Sequence, residues 1–247
     1  MFVQWILLIC SAALISSKGL PERIVGGQSV SILSVPWQAS LQKFGGHFCG
    51  AVIYSEKIVL TAAHCTKRNP PYMFSVRVGS SISGFGGQVV KVSQILEHES
   101  FGRSFEYSND IAVIQLQSNL IMGFGVRSIP LADSSPQPGS SAFVSGWGLI
   151  EYHGKDSTTL LGTTLAIVDR DSCMSSYRGR ISKDMICASA PGKDSCRGDS
   201  GGPLVSDGKL VGIVSFGPQG CALSEFPGVY ANVAELKPWI VETIQHL

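Results

Sequence analysis

The sequence predicts an all-β protein built from antiparallel sandwiches or barrels, and only its C-terminus shows a clear helical pattern. The composition points the same way, because 28 glycines and 12 prolines among 247 residues supply many turns, and only 15% of the residues are charged. Short runs rich in valine and isoleucine, bounded by glycine, serine and proline, are typical of antiparallel strands rather than alternating βα units. The predicted strands are 57–61, 74–78, 88–95, 111–116, 142–145, 210–216 and 228–233.

The chain is long enough for one large domain or for two smaller lobes. A cluster of serine, proline and glycine at 133–141 lies near the middle and could join two similar lobes. At the C-terminus, Leu236, Ile240 and Ile244 recur at helical spacing, and Pro238 falls in the first turn, where proline is tolerated. We expect a docking helix there, with no chemistry of its own.

The first 17 residues, MFVQWILLICSAALISS, form an apolar run that ends in small residues and precedes the first charge at Lys18. This pattern predicts a secretory signal peptide. A transmembrane anchor is the alternative, but the run is shorter than the about 20 residues that span a bilayer. We therefore expect a secreted, extracellular protein that keeps no membrane segment. The net charge of +1, without a basic stripe, argues against nucleic-acid binding.

The cysteines predict disulfide bonds. Cys10 falls in the signal peptide, and the remaining cysteines are Cys49, Cys65, Cys173, Cys187, Cys196 and Cys221. An even number in an exported chain implies a disulfide framework, although spacing alone does not choose among the possible pairings. No two of them have Cys-x-x-Cys spacing, so a zinc site is not expected.

A serine among glycines is the first candidate for chemistry. Ser200 lies in the stretch 192–204, where Gly198, Gly201 and Gly202 allow a tight turn with converging backbone N–H groups. Such donors would stabilise the oxyanion that forms when a serine attacks a carbonyl. Taken alone, the same run also fits an ordinary surface turn.

A histidine and an aspartate complete the pattern. His64 ends the apolar strand before Cys65, and Asp110 stands at the head of another apolar strand. A hydrogen-bonded core histidine and a turn carboxylate would explain each residue separately. Together with Ser200 they supply a nucleophile, a general base and a group that orients the base, as acyl transfer by serine requires.

Six motifs occur in the order found in trypsin-like serine proteases, which this chain resembles from Ile24 to Leu247. They are Ile24-Val25-Gly26-Gly27, Leu60-Thr61-Ala62-Ala63-His64-Cys65, Asn109-Asp110-Ile111-Ala112, Ser145-Gly146-Trp147-Gly148, Gly198-Asp199-Ser200-Gly201-Gly202-Pro203 and Pro227-Gly228-Val229-Tyr230. The resemblance implies two antiparallel six-stranded β-barrels, at about 24–130 and 131–233, and a helix at about 235–246. It also implies an active site in the cleft between the barrels.

The resemblance assigns a role to each candidate residue. Ser200 would be the nucleophile, His64 the general base, Asp110 its orienting partner, and the N–H groups of Gly198 and Ser200 the oxyanion hole. The implied disulfides are Cys49–Cys65, Cys173–Cys187 and Cys196–Cys221, a small set that resembles the invertebrate members.

The resemblance also implies the substrate. Asp194 would lie at the floor of the primary pocket, where a desolvated carboxylate favours a cation. The other implied substrate-binding residues are Ser195, Ser215, Phe216, Gly217 and Gly228. The expected partners are therefore protein or peptide substrates with arginine or lysine before the cleaved bond, and protein protease inhibitors.

Activation by cleavage is a further expectation. Arg23 ends the short segment 18–23 directly before the apolar residues of the first motif. The resemblance implies that this segment is a propeptide and that the freed ammonium of Ile24 pairs with Asp199.

Three departures from the family pattern concern the pocket rim and a loop. Phe216 replaces the usual tryptophan, 218–220 is slightly longer than in most trypsins, and Arg197 replaces a common glutamine. The loop 79–88 has no carboxylate, so we expect no calcium there, and we expect neither a metal nor another cofactor elsewhere.

The favoured function is a monomeric, secreted digestive endopeptidase made as a zymogen. A selective cascade protease is one alternative, although no accessory region precedes the catalytic part. A catalytically dead homologue acting as a binding protein is the other, although all three triad positions are intact.

Overall fold

The computed structural model describes residues 24–150, 154–218, 220–223 and 225–247. The predicted signal peptide, 1–17, and the predicted propeptide, 18–23, lie outside the described residues. Among the described residues, no helix combines the length and the apolar character that crossing a membrane requires.

The first half of the chain forms a closed antiparallel barrel. Its strands pair in the order β2-β3-β4-β7-β6-β5. In β5 the residues alternate between buried and half-buried, because Phe74, Val76 and Val78 point inward while Ser75 and Arg77 point outward. The strands are β2 Gln38–Lys43, β3 Gly46–Ile53, β4 Ile58–Thr61, β5 Phe74–Val78, β6 Gln88–Glu97 and β7 Ala112–Leu116.

The second half forms another antiparallel barrel, and a short strand from before the first barrel pairs at its edge. The sheet order is β1-β9-β10-β13-β12-β11-β8, and a further pairing of β9 with β8 closes six of these strands into a barrel. The strands are β1 Gln28–Ser29, β8 Ser141–Gly146, β9 Leu161–Val168, β10 Met185–Ser189, β11 Pro203–Ser206, β12 Lys209–Phe216 and β13 Gly228–Asn232. The predicted two-barrel, all-β fold is therefore confirmed, and the sandwich alternative is wrong.

Three α-helices accompany the barrels in the part of the chain that the structure describes. Short α1, Ala63–Thr66, follows β4 directly, and α2, Arg170–Ser176, begins where the side chain of Asp169 accepts the N–H of Ser172. The predicted C-terminal helix is present as α3, Val233–Gln245. Its buried residues Leu236 and Ile240 join the core of the first barrel, so α3 docks against both halves of the molecule.

Three disulfides join Cys49 to Cys65, Cys173 to Cys187 and Cys196 to Cys221. These are the pairs that the resemblance implies. The first ties β3 to α1, and the third ties the loop before β11 to the segment between β12 and β13.

Candidate active site

His64 and Asp110 form a hydrogen-bonded pair between two elements of the first barrel. His64 lies on α1, and Asp110 lies two residues before β7. Oδ2 of Asp110 accepts a hydrogen bond from Nδ1 of His64 at 2.7 Å, while Oδ1 accepts the backbone N–H of His64 at 2.9 Å. Because an ionised carboxylate only accepts, Nδ1 carries the proton and Nε2 keeps a lone pair that can accept one.

Ser200 lies in the same cleft as His64. Both residues line a cavity of about 410 Å³, together with Asp194 and Arg197. The carbonyl oxygen of Ser200 accepts the N–H of Gly50 at 2.7 Å, so the serine loop of the second barrel is bonded to β3 of the first. Gly50 directly follows Cys49, whose disulfide leads back to the helix that carries His64. The structure thus brings together all three residues that the sequence analysis named as the triad.

Close backbone approach explains the glycine next to Ser200. Gly201 has φ of +81°, and a Cβ there would lie 2.2 Å from Oγ1 of Thr61 and 2.4 Å from the carbonyl oxygen of Gly50. Any larger residue would push the loop of the second barrel away from the first.

The backbone N–H groups of Gly198 and Ser200 make no hydrogen bond to protein within the described part of the chain. Gly198 has φ of +93°, and its carbonyl oxygen accepts a hydrogen bond from Nε2 of His47 at 3.0 Å. Nδ1 of His47 in turn lies 2.7 Å from the hydroxyl of Ser40, so the imidazole is held at both nitrogens. Burial lowers the pKa of His47. The N–H of Gly198 belongs to the peptide group that it shares with Arg197, whose carbonyl oxygen accepts the N–H of Leu149 at 2.7 Å. That peptide group is therefore anchored through its oxygen while its N–H stays available.

Asp194 contributes a buried carboxylate to the lining of the cavity. The residue is only 3% exposed, and Oδ2 accepts the N–H of Ala222 at 3.0 Å. A Cβ on Gly228 would lie 2.7 Å from Oδ1 of Asp194, and a Cβ on Gly217 would lie 3.9 Å from Oδ2. Burial raises the pKa of Asp194 to about 6. Hydrogen bonds from Ala222 and Ser195 offset this effect only in part. A buried carboxylate of this kind favours a cationic group beside it.

The remaining predicted substrate-binding residues lie around this carboxylate. Ser195, Ser215, Phe216 and Gly217 all line the cavity. The hydroxyl of Ser195 lies 3.5 Å from the hydroxyl of Tyr230. Ser215 has a second contact, because its hydroxyl donates to Oδ2 of Asp110 at 2.6 Å.

Asp199, next to Ser200, is fully buried. Its carboxylate accepts the N–H of Cys196 at 2.9 Å and the N–H of Gly148 at 2.8 Å. Burial raises the pKa of Asp199 to about 7, and the nearby charges of Asp194 and Asp156 act in the same direction. Ile24 is also fully buried, and the N–H of Asp194 donates to the carbonyl oxygen of Val25 at 3.2 Å.

An aromatic wall beside the cleft was not expected from the sequence. The rings of Tyr107 and Phe216 stack with centroids 4.9 Å apart, and Tyr107 meets the His64 ring edge-on at 5.6 Å. Tyr177 packs edge-on against Phe216 at 5.6 Å. A second cavity of about 370 Å³ lies along these rings. The sequence holds no local signal for this wall, because its rings come from segments far apart in the chain.

One group of metal-ligating side chains, Cys49, His64 and Cys65, occurs among the described residues. The two sulfurs are joined in a disulfide, so neither is a thiolate able to bind a metal. The cluster is therefore explained by His64 lying beside the Cys49–Cys65 disulfide.

Comparison with known proteins agrees with this geometry. The family model described as Trypsin matches residues 24–240. Trypsin alpha-4 of Lucilia cuprina is 44% identical over 250 residues, with 97% of each chain covered. Trypsin alpha of Drosophila melanogaster is 48% identical over 229 residues, covering 91% of this chain and 88% of the other.

A solved structure gives the same result in three dimensions. Neuropsin, a serine protease expressed in mouse brain, superimposes with a TM-score of 0.82 at 36% identity, and the match covers 88% of this chain and 98% of that one. The protein is a trypsin-like serine endopeptidase, and the chain belongs to the trypsin family.

Proposed function

We propose that the protein is a secreted digestive endopeptidase, made as a zymogen, which hydrolyses peptide bonds after arginine or lysine through Ser200, His64 and Asp110. The observation that carries this proposal is the buried carboxylate of Asp194, which lines the same cavity as His64 and Ser200. A cation held by Asp194 would place the following carbonyl group beside the serine.

The contacts of His64 support the catalytic roles. Asp110 accepts hydrogen bonds from Nδ1 of the His64 ring and from the backbone N–H of His64. Nε2 of the ring is left to take the proton of Ser200. The serine oxygen then attacks the carbonyl carbon, and the imidazolium formed lies against the negative charge of Asp110. The same proton passes to the leaving amine, and water repeats the sequence on the acyl-enzyme. These steps are the general mechanism of serine proteases, applied here to the observed contacts.

The free N–H groups of Gly198 and Ser200 support the role of the oxyanion hole. Donors that need not reorganise stabilise the charge that develops on the carbonyl oxygen. The hydrogen bond from the N–H of Leu149 to the carbonyl oxygen of Arg197 holds the peptide group that carries the N–H of Gly198 in place.

The burial of Ile24 supports activation by cleavage after Arg23. In the uncut chain the nitrogen of Ile24 belongs to a peptide bond and carries no charge, so the buried carboxylate of Asp199 has no ammonium to pair with. Cleavage would create that ammonium, and pairing it with Asp199 would compensate two buried charges at once. Since Asp199 lies between Gly198 and Ser200, its position affects both donors of the oxyanion hole.

Export and a digestive role rest on other observations. The three disulfides fit an oxidising compartment outside the cell. The relatives from Lucilia and Drosophila are named trypsins, and they align along almost the whole chain, so the same general role is proposed here.

Cleavage profiling tests the proposed function. A protein that starts at Ile24 should cleave a fluorogenic peptide library almost entirely after arginine or lysine, and the Ser200→Ala variant should not. The precursor carrying Arg23→Gln should stay inactive. Cleavage after apolar residues, or turnover by Ser200→Ala close to that of the parent, would overturn the assignment.

A further inference from the structure

A carboxylate of the second barrel reaches the turn that carries Asp110. Oδ2 of Asp184 accepts the backbone N–H of Asn109 at 2.5 Å. Asp184 directly precedes β10, whereas Asn109 lies in the first barrel immediately before Asp110. This bond links the two barrels next to the residue that holds His64.

The backbone N–H of Asn109 needs a hydrogen-bond acceptor from outside its own turn. Asn109 has φ of +53°, a left-handed conformation that most residues avoid and that asparagine tolerates better than others. The N–H of Ile111 donates to the carbonyl oxygen of Asn109 at 2.9 Å, so the chain turns tightly around Asp110. The N–H of Asn109 points away from this turn, and the carboxylate of Asp184 satisfies it.

The position of Asp184 is itself fixed. Its carbonyl oxygen accepts the N–H of Asn232 at 2.7 Å, at the end of β13 and directly before α3. The next residue, Met185, is paired with Ala231 in the ladder between β10 and β13. The acceptor that meets Asn109 is therefore held by the strands of the second barrel.

We propose that Asp184 is a positioning residue for Asp110, acting through the N–H of Asn109. The inference rests on the proposed role of Asp110 as the partner of His64. A hydrogen bond to a charged acceptor is stronger and shorter than one between neutral groups, so it holds a strained turn well. Asp184 touches neither substrate nor the reacting atoms, and its effect reaches catalysis only through the placement of Asp110.

Small displacements of Asp110 would lower the rate of catalysis strongly. Asp110 accepts hydrogen bonds from the backbone and the ring of His64, and both depend on where the turn lies. A displacement of about 1 Å in a reacting constellation can lower the rate by about 100-fold.

The test compares two substitutions at Asp184 in the protein that starts at Ile24. Asp184→Asn keeps a carbonyl oxygen of the same reach, whereas Asp184→Leu keeps the size and removes the acceptor. Asp171→Leu, at an exposed position in the first turn of α2, makes the same change in net charge far from the site.

Three measurements separate positioning from general damage. For Asp184→Leu we expect kcat to fall by about 10- to 100-fold, while KM and the affinity for benzamidine, an aromatic cation for the Asp194 pocket, stay near the parent values. The downfield proton resonance of Nδ1–H in His64 should shift or broaden. Asp184→Asn should recover most of kcat and the resonance, and Asp171→Leu should change neither.

Two results would overturn the proposal. One is a parental kcat and an unchanged His64 resonance in Asp184→Leu. The other is a parallel loss of kcat, benzamidine affinity and melting temperature, which is the pattern of a purely structural contact. The Ser200→Ala variant, measured beside them, tests the proposed function separately from the role of Asp184. An inactive Ser200→Ala protein supports the proposed function whatever the Asp184 variants show, and an active one would refute that function.

Discussion

The hydroxyl of Ser215 donates a 2.6 Å hydrogen bond to Oδ2 of Asp110, the carboxylate oxygen that also accepts Nδ1–H of His64 at 2.7 Å. Ser215 belongs to β12 of the second barrel, whereas Asp110 belongs to the first. Asp110, which is only 1% exposed, is therefore held in a fixed orientation from both sides of the cleft.

Removing the hydroxyl of Ser215 should weaken catalysis moderately. A hydrogen bond to a charged group contributes about 1.5 kcal/mol or more, so Ser215→Ala should lower kcat by about tenfold. KM should change little, because the backbone that faces the cavity is kept. Steady-state kinetics on an arginyl amide checks this, with Ser206→Ala as the control, because it removes a buried hydroxyl that bonds Ser141 elsewhere in the barrel. Equal losses in both variants would contradict a specific role of Ser215.

Gly228→Ala should damage the primary pocket by displacing Asp194. The new Cβ would lie 2.7 Å from Oδ1, which is closer than real Cβ contacts, so the carboxylate must move. We expect kcat/KM for arginyl and lysyl substrates to fall by about 10- to 100-fold. The matched control is Gly217→Ala, whose Cβ would lie 3.9 Å from Oδ2, an ordinary contact distance. If Gly217→Ala loses as much, narrowing of the pocket and not movement of Asp194 is the cause.

Binding of cations should weaken in acid because Asp194 must be ionised. Burial raises the pKa of Asp194 to about 6 in the empty pocket. Below this pH a proton must leave before a cation binds, so the affinity for benzamidine should fall by about tenfold for each further pH unit. Calorimetry on the Ser200→Ala protein checks this without self-digestion. Asp194→Asn should bind weakly with little pH dependence across the same range, and an equally steep profile in that variant would assign the titration to another group.

Much of the site was predictable because its motifs are local. Asp194, Asp199 and Ser200 lie within a few residues of one another, and the resemblance placed them on the same loop. His64 and Asp110 each lie next to an apolar strand that the periodicity predicts, and the observed β4 and β7 start within a residue of the predicted strands.

The unpredicted features depend on contacts between residues distant in the chain. Tyr107 and Phe216 stack across the boundary of the barrels, and nothing in either local sequence indicates the partner. The hydrogen bond between Asn109 and Asp184 joins two distant segments and was likewise not predicted. The pairing of β1 with β9 of the second barrel is a third contact of this kind. Helix α2 was also not predicted, although its capping residue, Asp169, is adjacent to it in the sequence.

Asp199 should make the uncut precursor less stable as the pH rises. Its pKa is raised by burial from an ordinary value of 3.8 to about 7 in this fold. Below about pH 4 the carboxyl is protonated in both the folded and the unfolded chain, and no penalty exists. Between about pH 4 and 7 the unfolded chain loses its proton while the folded chain keeps it, so stability falls by about 4 kcal/mol in total.

Cleavage after Arg23 should remove this penalty, and Asp199→Asn provides the test. In a precursor blocked by Arg23→Gln and inactivated by Ser200→Ala, the asparagine should raise the free energy of unfolding at pH 8 relative to aspartate, and much less at pH 4. Asp194 is present in both proteins, so the difference between them reports Asp199 together with its electrostatic coupling to Asp194. In an otherwise unmodified protein starting at Ile24, the same substitution should abolish activity, because the new ammonium would be buried without a partner. Urea unfolding measures the first effect and hydrolysis of an arginyl amide the second. A precursor whose stability is insensitive to Asp199→Asn at both pH values would show that the carboxylate is compensated before cleavage, and the switch would then need another cause.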